Sequence, residues 1–158
     1  EYNTILFHGS VVSVDNIGYL FTAKSGTGKS THTSLWREFF KERAVMVNDD
    51  KPLLRVTENG VTAYGTPWNG KHRLSTNIGV PLNAICVLER SDENHIEKVT
   101  AESVYNMLVQ QVYRPQNPKK LLKTLQLIDV MADNVNFYRL GCNMDISAAE
   151  TAYNGMKG

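Results

Sequence analysis

The residues Ala23-Lys24-Ser25-Gly26-Thr27-Gly28-Lys29-Ser30 have the types and spacing of a loop that wraps an anion. They fit the Walker A pattern, with alanine in place of its first glycine. Gly26 and Gly28 let the backbone fold closely around a phosphate chain, because a residue without a Cβ adopts conformations that others resist. The N–H groups of the loop and the positive end of a following helix then face the phosphate oxygens. Lys29 is expected to reach the β- and γ-phosphates, Ser30 to ligate Mg²⁺, and Thr31 to add a donor near the α-phosphate. Ser25, Gly26, Thr27, Gly28, Lys29, Ser30 and Thr31 are therefore the expected nucleotide contacts.

A second set of chemical groups follows in Asn48-Asp49-Asp50. Two acids at a strand end point in different directions and can serve different purposes. One can hold Mg²⁺ as a hard oxygen ligand, and the other can orient or deprotonate an attacking hydroxyl. The same string before Lys51-Pro52 is also good turn composition. Further along, Lys71-His72-Arg73 supplies cations that either offset charge on a transferred phosphoryl group or form a solvated loop. Trp68 either stacks on a ligand or plugs its loop onto the core, and Arg114 is a further candidate clamp. His32 is read as structural or exposed, and His95 is assigned no role.

These groups need elements to position them. Thr4 to Phe7, Val11 to Val14 and Tyr19 to Thr22 read as short strands, the last delivering the chain to the glycine-rich loop. Lys29 to Arg43 carries Leu35, Trp36, Phe39 and Phe40 at helical spacing. Ala44 to Val47 reads as the strand that ends at the acids. Residues 53–57 and 61–64 form an expected hairpin across Glu58-Asn59-Gly60, and residues 65–77 a polar loop near the ligand. A strand over 84–89 is followed by a helix from Thr100 that Pro115 stops. A second helix opens at Pro118, a strand covers 135–140, and Asp145 caps a terminal helix. The expectation is a single mixed α/β domain over residues 1–158.

Composition narrows the function classes. The chain of 158 residues has 17 basic and 16 acidic side chains, a net charge of +1. A nearly neutral global field gives no reason to expect a nucleic acid or an anionic membrane as partner. No apolar stretch reaches membrane-spanning length. The two cysteines, Cys86 and Cys142, lack metal-ligand spacing, Cys86 reads as a core residue, and the pair fits a reducing cytoplasm. The start at Glu1, entering an apolar run almost at once, reads as a trimmed piece of a longer protein.

From His8 to Asp50 the order of these features resembles HPr kinase/phosphorylase. That order is His8-Gly9, the strand Gly18-Tyr19-Leu20-Phe21-Thr22, the loop, a helix, and a strand ending in paired acids. A similar nucleotide site occurs in the phosphoenolpyruvate carboxykinase superfamily. The resemblance implies a P-loop domain of the HPr kinase C-terminal type, with mixed β-sheets flanked by helices and with ATP and Mg²⁺ as cofactors. It implies that Asp49 is the base on an acceptor hydroxyl with His8 as its partner, and that Asp50 sits on the metal with Ser30. It also allows an oligomer. Where those kinases carry an Arg-Gly-Leu-Gly signature, this chain has Gly65-Thr66-Pro67-Trp68-Asn69-Gly70-Lys71-His72-Arg73, so recognition of the same substrate is not expected.

The expected function is an ATP- and Mg²⁺-dependent kinase acting on a hydroxyl, foremost a serine of a protein or peptide. The alternatives are a small-molecule kinase and a non-catalytic nucleotide-binding regulatory module.

Overall fold

Strands buried on both faces organise the molecule, and β3 (Ile17–Thr22) shows how. Its Tyr19 and Phe21 enter one hydrophobic core while Leu20, between them, enters another. Successive strand residues face opposite sides, so a strand covered on both faces reads as a continuous apolar run rather than an alternating one. In the computed structural model, which describes residues 2–24 and 26–157, that alternation divides the protein into two cores across one sheet.

The other strands are β1 (Thr4–Leu6), β2 (Ser10–Val14), β4 (Ala44–Asn48), β5 (Leu53–Thr57), β6 (Gly60–Tyr64), β7 (Gly79–Arg90), β8 (His95–Val99) and β9 (Asn136–Cys142). The path β1-β5-β6-β7-β3-β2-β4 runs across the sheet, with β9 joining β7 and β8 joining β9. The 12 residues of β7 connect two regions. Thr62 to Tyr64 of β6 pair antiparallel with its first residues, whereas β3 and β9 pair parallel with the rest. The carboxyl ends of β3, β7 and β9 therefore lie along one edge of the molecule.

Among the described residues, four α-helices cover the sheet: α1 (Lys29–Phe40), α2 (Ala101–Gln111), α3 (Pro118–Asn134) and α4 (Ser147–Met156). Helices α1 and α4 close the face that carries Tyr19, Phe21, Cys86 and Tyr138. Helices α2 and α3 close the other, placing Leu108, Ile128 and Met131 against Leu20, Leu54 and Ile85. At the centre of the α1 face, Trp36 is fully buried. Its ring centroid lies 5.1 Å from that of Tyr19 and 5.3 Å from that of Phe21. Its indole N–H donates to His32 Nε2 at 2.9 Å. His32 is thereby structural, and burial depresses its pKa to about 4.

The expected elements are present, with shifted ends. α1 stops at Phe40 and passes through a short 3₁₀ turn, Lys41–Arg43. β7 begins five residues before the apolar run 84–89, because Gly79 to Pro81 pair with β6 rather than form loop. β8 was not expected, since Glu97 and Lys98 interrupt its apolar signal at an exposed edge. Asp145 accepts from the Ser147 N–H at 2.9 Å, which fixes the entry to α4 and holds its carboxyl below the usual pKa. No described helix is long and apolar enough to cross a membrane.

Candidate active site

The loop between β3 and α1 turns back over the helix N-terminus. Gly28, immediately before the helix, has φ +104°, and Gly26 has φ +83°. Those values lie in the left-handed region that side chains with a Cβ resist, which is why glycine stands at both places. The Thr27 N–H closes a turn on the Lys24 carbonyl at 3.2 Å, and the His32 N–H makes an early helical bond to Gly28 at 2.9 Å. Among the described residues, no side chain caps α1. The first N–H groups of an α-helix have no intrahelical partner, and such a terminus favours an anion. Ser25, an expected contact, lies outside the described residues.

Lys29 opens α1 beside both acids. Burial lowers its ammonium pKa, and the negative charges of Asp50 and Asp49 oppose that shift. A half-buried lysine without a bound anion gains by taking one, because the ligand charge offsets the desolvation of the ammonium.

The acids separate cleanly. Asp49 is buried and turns toward α1, where the Ser30 hydroxyl donates at 3.1 Å from both carboxylate oxygens. Ser10 at the start of β2 donates to Asp49 Oδ1 at 2.8 Å and lies 3.0 Å from the Thr33 hydroxyl. Asp50 points the other way. His8 Nε2 lies 3.2 Å from Asp50 Oδ1, and Lys51 Nζ lies 3.3 Å from Asp50 Oδ2. His8 Nδ1 is 3.2 Å from Gln111 Oε1, at the end of α2.

This pairing reverses the expected one, in which His8 partnered Asp49 and Asp50 accompanied Ser30. The backbone explains the exchange. The Gly9 N–H donates to the Asp50 carbonyl at 2.9 Å and the Phe7 N–H to the Pro52 carbonyl at 3.1 Å. His8 is thus held opposite residues 50–52, and Asp49 falls on the helix side.

The loop after β6 is pinned across the acids. Buried Asn48 donates to the Trp68 carbonyl at 3.0 Å, and its Oδ1 accepts from the Thr66 N–H at 3.0 Å. The Asp49 N–H donates to the Leu74 carbonyl, also at 3.0 Å. Gly70, at φ +72°, passes so close that an added Cβ would stand 3.2 Å from Asp50 Cβ. Lys71 and His72 consequently line the same cavity, of about 350 Å³, as His8, Lys29, Ser30 and Asp50. Arg73 and Arg114 are not among the residues lining it. Trp68 does not plug the core: it is 57% exposed.

A larger cavity of about 580 Å³ lies on the other side of the loop, at the carboxyl ends of β7 and β9. Thr27, Gly28 and Thr31 form its floor, with Arg90, Asp92 and Met144 around it. Arg90 Nη2 donates to the Gly26 carbonyl at 2.5 Å and so ties the loop to the end of β7. Crevices outside the carboxyl ends of parallel strands are where open α/β sheets take ligands.

Ser10, Asn48, Arg90 and Gln111 were missed in the sequence. Each has its partner at least 18 residues distant in the chain. Only Asn48, adjacent to the acids, carried a signal.

Neither a family model nor a curated protein matches the chain. Among solved structures, the HPr(Ser) kinase/phosphatase from Coxiella burnetii aligns with a TM-score of 0.43 and 13% identity, over 77% of this chain and 87% of that one. The likeness is a distant one of fold.

Proposed function

We propose that the protein is a kinase that transfers the γ-phosphoryl group of ATP to a hydroxyl. One observation carries this reading: a glycine-rich loop with its lysine and two acids with separate partners all face a single cavity. The loop amides and Lys29 bind the phosphates. Ser30 and Asp49 are the pair that would hold Mg²⁺, which needs only one or two protein oxygens besides phosphate; when bound, it neutralises charge on the phosphates. The adjacent Ser30 hydroxyl and Asp49 carboxylate have the donor types this requires.

Asp50 then serves the acceptor. Its carboxylate takes the proton of the acceptor hydroxyl as the oxygen bonds to the γ-phosphorus and the bond to the β-phosphate oxygen breaks, releasing ADP. His8 orients Asp50, and Gln111 orients His8. Lys71 and His72 offset charge spreading over the transferred group. The His8–Asp50 pair favours this reading over a nucleotide-binding module, which has no use for an oriented carboxylate beside the phosphates.

The test is transfer of label from γ-labelled ATP to hydroxyl-bearing peptides, polyols and proteins. Transfer by the wild-type chain and its loss in Asp50→Asn are expected. Nucleotide binding without transfer to any acceptor would leave the regulatory-module reading in its place.

A further inference from the structure

A third cavity, of about 260 Å³, meets the transfer cavity at His8. It follows the strip where residues 6–8 pair with residues 111–113. The Tyr113 N–H donates to the Leu6 carbonyl at 2.8 Å and the His8 N–H to the Gln111 carbonyl at 2.7 Å. Lys51, Gln110 and Tyr113 form its rim, and Tyr113 is 68% exposed. A small polyol with its hydroxyl at Asp50 would fill the transfer cavity and leave this extension empty. An extended chain would occupy both.

Apart from the two site acids, the charged residues around this path are cations. Among the described residues lining the two cavities, the acids are Asp49 and Asp50, each already engaged. The cations are Lys29, Lys51 and Lys71, with His8 and His72 as titratable partners. The flanking segments 66–75 and 110–123 contain no Asp or Glu, while Arg73, Arg114, Lys119, Lys120 and Lys123 lie within them. In a chain balanced overall at +1, the two segments that flank these cavities thus carry cations and no acid. In the kinase reading Lys29 is taken up by the phosphates, whereas Lys51, 3.3 Å from Asp50, lines the cavity beside His8.

We propose that the acceptor is an acidic polypeptide segment that runs from the Asp50 carboxylate past His8 into the cavity rimmed by Lys51, Gln110 and Tyr113. The inference rests on the kinase reading and adds the acceptor class to it. The reacting serine or threonine hydroxyl lies at Asp50, and acidic residues flanking it meet Lys51 at the rim. Rim charges of this kind set partner choice and encounter rate more than intrinsic turnover.

The experiment compares three synthetic serine peptides of equal length, flanked by Asp/Glu, by Gln/Ala or by Lys, with MgATP and mass-spectrometric detection. Gln110→Glu and Tyr113→Ala are the variants, because both side chains lie outside the transfer machinery. The acidic peptide is expected to exceed the neutral one about tenfold in kcat/KM and the basic one by more. Gln110→Glu should raise the KM for the acidic peptide several-fold, leaving MgATP affinity and kcat unchanged. Normal MgATP binding with equal use of all three peptides, or better use of a small polyol, would overturn the acceptor assignment and leave the kinase reading standing. An unchanged KM in both variants would overturn the path past His8. Absence of MgATP binding would remove the kinase reading and this inference together.

Discussion

His8 Nε2 lies 3.2 Å from Asp50, the second acid of the pair and not the first. In the proposed function, the division of labour between the two acids rests on that contact. Ser30 and Ser10 supply two hydroxyl donors to Asp49 on the helix side, while the imidazole accompanies Asp50 in the transfer cavity.

The two acids should therefore fail differently. Asp50→Asn keeps the shape and removes the proton acceptor. It is expected to lower kcat by about 10²- to 10⁴-fold while MgATP affinity stays within a few-fold. Asp49→Asn should instead weaken the Mg²⁺ dependence of nucleotide binding. Steady-state kinetics with a magnesium titration of each variant would check this. The opposite pattern would restore the assignment drawn from the family resemblance.

Asn48 should behave as a structural clamp with a kinetic consequence. Its side chain bridges Thr66 and Trp68 in a fully buried position. Asn48→Ala leaves the Thr66 N–H and Trp68 carbonyl without that partner, a loss of about 1–3 kcal/mol. Urea denaturation should show the loss, and limited proteolysis should cut between residues 66 and 75. Because Gly70 and Lys71 ride on this loop, kcat should fall as well.

How much was legible in the sequence depended on how local the signal was. The turn glycines Gly26 and Gly28 and the strand that ends just before Asp49 were readable because glycine placement and apolar runs act over a few residues. The partner of each acid was not. Asp49 and Asp50 are chemically identical, and what separates them is a backbone bond from Gly9 to the Asp50 carbonyl, across 41 positions. Gln111 likewise reaches His8 over 103 positions. The junction in β7 was hidden for a related reason, since Gly79 and Pro81 read locally as loop and are strand only because β6 pairs with them.

His32 gives the fold a predictable acid sensitivity. Its pKa is about 4 when buried, against an ordinary value of 6.5. The unfolded chain thus binds a proton between these values while the folded chain does not. The stability from neutral His32 is fully present above about pH 6.5 and is lost as pH falls toward 4. The loss amounts to about 2 kcal/mol between pH 7 and pH 5. Denaturant unfolding of the wild type and His32→Gln across that range should differ in slope by this amount. Parallel curves would contradict the neutral, buried histidine.

If the loop at Gly26 to Ser30 binds a nucleoside triphosphate, calorimetric titration of MgATP into the wild type and Lys29→Ala will show it. The account predicts saturable binding by the wild type and a loss of affinity of at least about 100-fold in the variant, the size expected for a desolvated charge-assisted contact. Equal binding by both proteins, or none by the wild type, would contradict it.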